Sequence, residues 1–175
     1  MLFRSSALDP GAAVPEDGED VSWGVGVSFT DVADLGVRRE GVAYGGGISF
    51  GSTELGADRD HQRIDLFYRR YQTLGGDLPA SLYWQLRGGW TGDTPFGDDA
   101  YSIGSGSSLR GYTRDFRAGD MQLLANVEYL HPLFGNPAVR GVVFTDIGGV
   151  WDKDDIDPGD IHVGAGVGLR INLRW

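Results

Sequence analysis

The fold is decided by the stretch IHVGAGVGLRINLRW, residues 161–175. Every second residue is apolar: Ile161, Val163, Ala165, Val167, Leu169, Ile171, Leu173 and Trp175. Those between them are His162, Gly164, Gly166, Gly168, Arg170, Asn172 and Arg174, all polar or glycine. Side chains alternate across a β-strand, so period-two patterning predicts a strand with one greasy face and one polar face.

The same alternation recurs along the chain. Val21, Trp23, Val25, Val27 and Phe29 share one face of 21–29, and Val42, Tyr44, Ile48 and Phe50 one face of 41–51. Comparable faces run through RIDLFYRRY, SLYWQLRGGW, MQLLANVEY and RGVVFTDIGGVW. Together with the terminal stretch these predict seven strands of roughly 9–15 residues, near the 9–11 that a tilted membrane strand needs. We find no stretch of about ten or more residues with apolar positions at helical spacing, and the 29 glycines dilute helix formers.

Composition narrows the function. The formal net charge of -10 argues against a nucleic-acid partner, because phosphate backbones need a basic surface. Lys153 is the only lysine, so the positive charge is nearly all arginine. Cysteine is absent, which removes disulfides and thiolate metal sites. No apolar run approaches the roughly 18 residues of a membrane helix, and residues 1–20 lack the apolar core of a signal peptide. An exported protein would have lost its signal before this chain begins. Barrel membrane proteins escape such tests, since each strand carries only a weak hydropathy signal.

Connections alternate too. The segments 30–39, 72–80 and 132–138 are short and turn-like, whereas 52–60, 92–118 and 152–160 are longer or more acidic. Short turns on one side and long loops on the other describe an outer-membrane barrel. With the C-terminus in the periplasm, the terminal strand and the first clear strand both descend. A rising strand must then precede residue 21, and residues 2–8 (LFRSSAL) are the candidate for an eighth. In that orientation Trp23, Phe50, Trp90 and Trp151 fall at the outer strand ends, and Phe29, Tyr68, Tyr129 and Trp175 at the inner ends. Such rows are the aromatic girdles of the two membrane interfaces.

Arg63, Arg69, Arg87, Arg170 and Arg174 fall on the polar face with Asp65, Glu128 and Asp146. An arginine turned to lipid at the midplane costs roughly 2–4 kcal/mol, so this face lines the interior. The expectation is an all-β, transmembrane, antiparallel up-and-down β-barrel of about eight strands. A soluble sandwich or lipocalin-like barrel that binds a small ligand alternates as well, but with its apolar faces inward.

SLRGYTRDF (108–116) resembles the loop motif of the BamA-type outer-membrane assembly and secretion superfamily, also known as bacterial surface antigen. NVEYLHPLFG (126–135), VVFTDIGGVW (142–151) and GAGVGLRI (164–171) resemble the three strands that follow that loop, in family order. The resemblance covers roughly residues 104–175; residues 1–100 match in strand pattern only. It implies that Arg110 folds back into the lumen and pairs with Glu128 and with Asp146 of the Phe144, Asp146, Gly148 motif, with Gly111 and Tyr112 beside it. By alternation both carboxylates lie on the polar face, and a guanidinium fork can bond two carboxylates. Leu173 and the final Trp175 resemble the C-terminal signal that the outer-membrane assembly machinery reads on its clients.

Family members carry about twice as many strands and have periplasmic domains ahead of the barrel, and two strands expected after GAGVGLRI are missing. We therefore expect one barrel domain over 1–175, with no periplasmic domain and with 92–118 as the long extracellular loop. An eight-stranded lumen is filled by side chains and leaves no passage for a polypeptide, so a homodimer closing edge to edge would restore a wide ring. The expected role is outer-membrane protein assembly, insertion or translocation in the bacterial outer membrane. The alternative is a stand-alone structural or surface-binding barrel without transport. Membrane lipids, lipopolysaccharide and the assembly machinery are the expected partners.

Other chemistry is thin. DKDDIDPGD (152–160) invites calcium but lacks the spacing of a calcium loop. GAGVG is followed by no helix, and His61, His131 and His162 sit in separate segments. With no nucleophile elbow, P-loop or paired-carboxylate motif, neither enzyme activity nor a cofactor is expected.

Overall fold

A computed structural model describes residues 21–57, 59–76, 78–92, 101–106 and 108–172. The protein is all-β and antiparallel. Seven strands form one sheet: β1 (Ser22–Asp34), β2 (Arg39–Gly51), β3 (His61–Leu74), β4 (Ala80–Thr91), β7 (Met121–Leu133), β8 (Asn136–Trp151) and β9 (His162–Ile171). They are adjacent in chain order, an up-and-down meander. Between β4 and β7 the chain forms a small hairpin of β5 (Tyr101–Ile103) and β6 (Arg117–Gly119).

Strands run further into the short connections than their alternation predicts. β1 continues to Asp34, whose carboxylate accepts the Gly36 N–H (2.8 Å) in the turn to β2. β7 and β8 are joined by Phe134 and Gly135 alone, with φ of 55° and 68°. Two positive φ values give the turn whose twist matches paired strands, and glycine supplies the second without strain. Past this tip the ladder jumps from Leu133↔Asn136 to Pro132↔Arg140, where Pro137 has no N–H to give.

The apolar face points away from the centre of curvature. Val27 is 77% exposed, Val143 55%, Val163 55% and Val167 81%. The concave face instead carries buried polar groups: Asn126, Glu128, Arg140 and Asp146. A soluble barrel would show the reverse. The compact apolar cluster is Ile103, Leu109 and Val150, with Tyr112 packed against it. It forms where the 101–116 loop lies on the wall of the sheet, not between two sheets.

The sheet is strongly curled. Arg140 on β8 donates to the carbonyls of Val37 (3.2 Å) and Pro79 (2.9 Å), in the β1–β2 and β3–β4 turns. Asn172, just beyond β9, also reaches Val37 O (3.5 Å). Closure into a barrel is nevertheless not present among the described residues, where β1 pairs with β2 alone and β9 with β8 alone. The reason lies in strand parity. In a seven-strand meander both edges run the same way, so β1 and β9 could join only as a parallel seam. The segment expected to rise between them, residues 2–8, lies outside the described residues.

Candidate functional site

β7 and β8 pair with Asn126 opposite Asp146 and Glu128 opposite Phe144. By alternation these four side chains form one square patch on the concave wall. On β9 the facing residues are Gly164 and Gly166, whose missing side chains leave room above the patch. The loop occupies that room. A Cβ on Gly164 would collide with the carbonyl oxygen of Arg110, and one on Gly166 would stand 2.7 Å from the Phe144 ring.

Arg110 reaches the patch at the tip of this loop. Its Nε donates to Asp146 Oδ2 (2.7 Å) and its terminal nitrogens to Asp146 Oδ1 (2.7 Å) and Glu128 Oε1 (2.5 Å). Its backbone N–H also donates to Asp146 Oδ2 (3.0 Å). The guanidinium lies over the Phe144 ring, 3.6 Å from its centre. Asp146 is fully buried and takes a further bond from Asn126 Nδ2 (2.7 Å), so its lone pairs are well used. Glu128 is shared, because Arg170 donates to its second oxygen (3.1 Å). Two guanidiniums and two carboxylates balance in charge, which is what burial demands.

The loop backbone is held as well. Asn126 Nδ2 donates to Ser108 O (2.7 Å), and Asn126 Oδ1 accepts from Gln85 Nε2 (2.7 Å), to whose oxygen Tyr83 donates (2.7 Å). Gly111 has φ of 93°, a conformation that disfavours any side chain. Tyr112 donates to Val163 O (3.2 Å) and stacks on His162. At the far side Tyr101 donates to Ile64 O (3.2 Å) and Asp65 (3.0 Å). The loop is thus pinned to both halves of the sheet.

The structure therefore gathers Arg110, Glu128 and Asp146 into one cluster and sets Gly111 and Tyr112 at its margin. Reading the sequence missed Asn126, Gln85, Tyr83 and the partnership of Arg170 with Glu128. Asn126 was within reach of the pattern, lying two residues before Glu128 on the same face, but its register opposite Asp146 was not.

Aromatic residues group at both ends of the outer face. Trp23 packs on Phe50 with ring centres 5.2 Å apart, and Trp90 and Trp151 both pair beside Met121. At the turn end Phe29, Tyr44, Tyr68 and Trp84 form a continuous row of rings. Tyr44 and Trp84 are thus additions to the inner group, whereas Tyr129 stands apart on His131. Leu173 and Trp175 lie outside the described residues. In the acidic 152–160 loop, Asp157 accepts the Gly159 N–H (2.7 Å) and Asp160 pairs with Arg117 (3.0 Å), so these two carboxylates serve the loop itself.

No curated protein matches the chain. The family model of the Omp85 superfamily domain, to which the BamA-type proteins belong, does match, over residues 15–173. That span takes in the whole curled sheet and the arginine loop lying in it, and by it the chain belongs to the Omp85 superfamily.

Proposed function

We propose that this chain forms an integral outer-membrane β-barrel with a role in outer-membrane protein assembly, insertion or translocation. One observation carries the membrane part. The continuous apolar face, with Val167 81% exposed, looks outward while the charged cluster looks inward. Membership of a superfamily of membrane assembly and translocation proteins supports the role. The acyl chains of membrane lipids would cover the outer face, with lipopolysaccharide around the loop end, and the outer-membrane assembly machinery would take this chain as a client.

A specific observation also favours a homodimer. β1 and β9 both end the sheet without a further partner among the described residues, and unpaired backbone groups in hydrocarbon cost several kcal/mol each. Two copies joined edge to edge, β1 of each beside β9 of the other in a parallel seam, would satisfy them and widen the lumen. A stand-alone structural barrel without transport is the second reading, favoured by the Arg110 loop lying against the concave face.

The test is refolding of the full chain into detergent micelles and lipid vesicles, with a mass measurement. The expected result is a folded, membrane-embedded protein of twice the chain mass. Val167→Arg should weaken vesicle folding by about 2–4 kcal/mol. A chain that folds in water without detergent, indifferent to that substitution, would overturn the membrane reading. A closed monomer would overturn the dimer.

A further inference from the structure

The turn end of the concave face holds a second charged site, which borders the Arg110 cluster at Glu128 and Arg170. A cavity of about 450 Å³ is lined there by Arg38, Arg39, Arg140 and Arg170, against the carboxylates Asp34 and Glu128. Two of these arginines are accounted for: Arg39 pairs with Asp34 (3.6 Å) and Arg170 with Glu128 (3.1 Å). Arg38 and Arg140 make no ion pair among the described residues.

Arg140 is only 2% exposed. Its terminal nitrogens are held by the carbonyls of Val37 and Pro79, which leaves three of its five N–H donors; its Nε is buried and unpartnered. The Arg38 Nε is likewise buried without a partner, as is the hydroxyl of Ser81, itself 7% exposed and lining the same cavity. A guanidinium cannot escape burial by losing its proton, and carbonyl dipoles do not neutralise its charge. Burying a charge without a counter-charge is strongly unfavourable. The two turns nevertheless hold Arg140 still, with free donors ready.

We propose that Arg38, Arg140 and Ser81 form a binding site for a phosphate group at the turn end of the sheet. Phosphate is favoured over carboxylate on three grounds. Two uncompensated positive charges match a phosphate monoester, which carries about −1.5 to −2 near neutral pH. Guanidinium forks bond phosphate oxygens in pairs, and a serine hydroxyl serves a third. The cavity exceeds a bare phosphate, so the group would arrive attached to something larger, either a soluble phosphorylated compound or a lipid headgroup.

The experiment uses the full chain in detergent micelles, titrated with inorganic phosphate and pyrophosphate at constant ionic strength in chloride, read by calorimetry. A second arm compares thermal stability in nanodiscs of phosphatidylcholine with and without phosphatidic acid. Saturable binding in micelles identifies a soluble phosphate compound, and stabilisation only by phosphatidic acid identifies a headgroup. In either case Arg38→Gln, in the β1–β2 turn, should weaken the effect about tenfold while far-ultraviolet circular dichroism stays the same. No response in either arm, or an equal response in Arg38→Gln, overturns the site.

Discussion

Asp146→Asn tests most directly what holds the loop against the wall. The substitution keeps the volume of a fully buried side chain but removes its charge and replaces one acceptor by a donor. Asp146 accepts three bonds from Arg110 and one from Asn126, and an amide in its place would set N–H against N–H. Breaking one partner of a buried ion pair costs about 3–5 kcal/mol. Arg110 keeps Glu128 and is 20% exposed, which puts the expected cost at the low end, about 3 kcal/mol. Hydrogen exchange of the 108–116 amides reads the opening of this loop directly, and protection there should fall about a hundredfold. Asp160→Asn supplies the comparison. It breaks the pair with Arg117 of β6, directly after this loop, but those side chains are 49% and 33% exposed. Such a pair is worth about 0–1 kcal/mol, so the fall should stay below about fivefold. If both variants, shown by circular dichroism to be folded, exchange alike, the ion-pair cluster does not hold the loop.

Gly164→Ala should release the same loop by sterics alone, at about 1–3 kcal/mol, because the atom it meets is the backbone oxygen of Arg110; Gly168→Ala, with nothing within 4 Å, should leave exchange and melting temperature unchanged, and equal effects would refute the close approach. In the β2–β3 loop the Thr53 N–H (2.7 Å) and hydroxyl (3.0 Å) donate to Asp60, and these bonds hold its carboxyl below the usual carboxylate value. A depressed value means the contribution is complete above the ordinary pKa of about 4 and is lost as pH falls further, through the folded value. The Thr53 amide resonance should therefore shift in acid, below about pH 4, and not in Asp60→Asn; a resonance indifferent to pH in the wild type would refute the bond.

The alternation of strands β1 to β4 and β7 to β9 was legible in the sequence, as was the shared polar face of Arg63, Arg87 and Arg170 with Asp65, Glu128 and Asp146. Both follow from local stereochemistry, since successive side chains of a strand point oppositely whatever it pairs with. The resemblance added Arg110, Glu128 and Asp146 as a set. Which residues stand opposite one another is not local. Asn126 meets Asp146 through the β7–β8 register, and Arg140 reaches Val37 across 103 residues of chain. The meander keeps neighbours adjacent, but a curl that brings β8 over the β1–β2 turn depends on the summed twist of every strand between them. The sequence alone thus determined which face of each strand is oily, whereas only the tertiary structure decided what the polar face encloses. The physical reason is that period is a property of one strand, and register and curvature are properties of pairs.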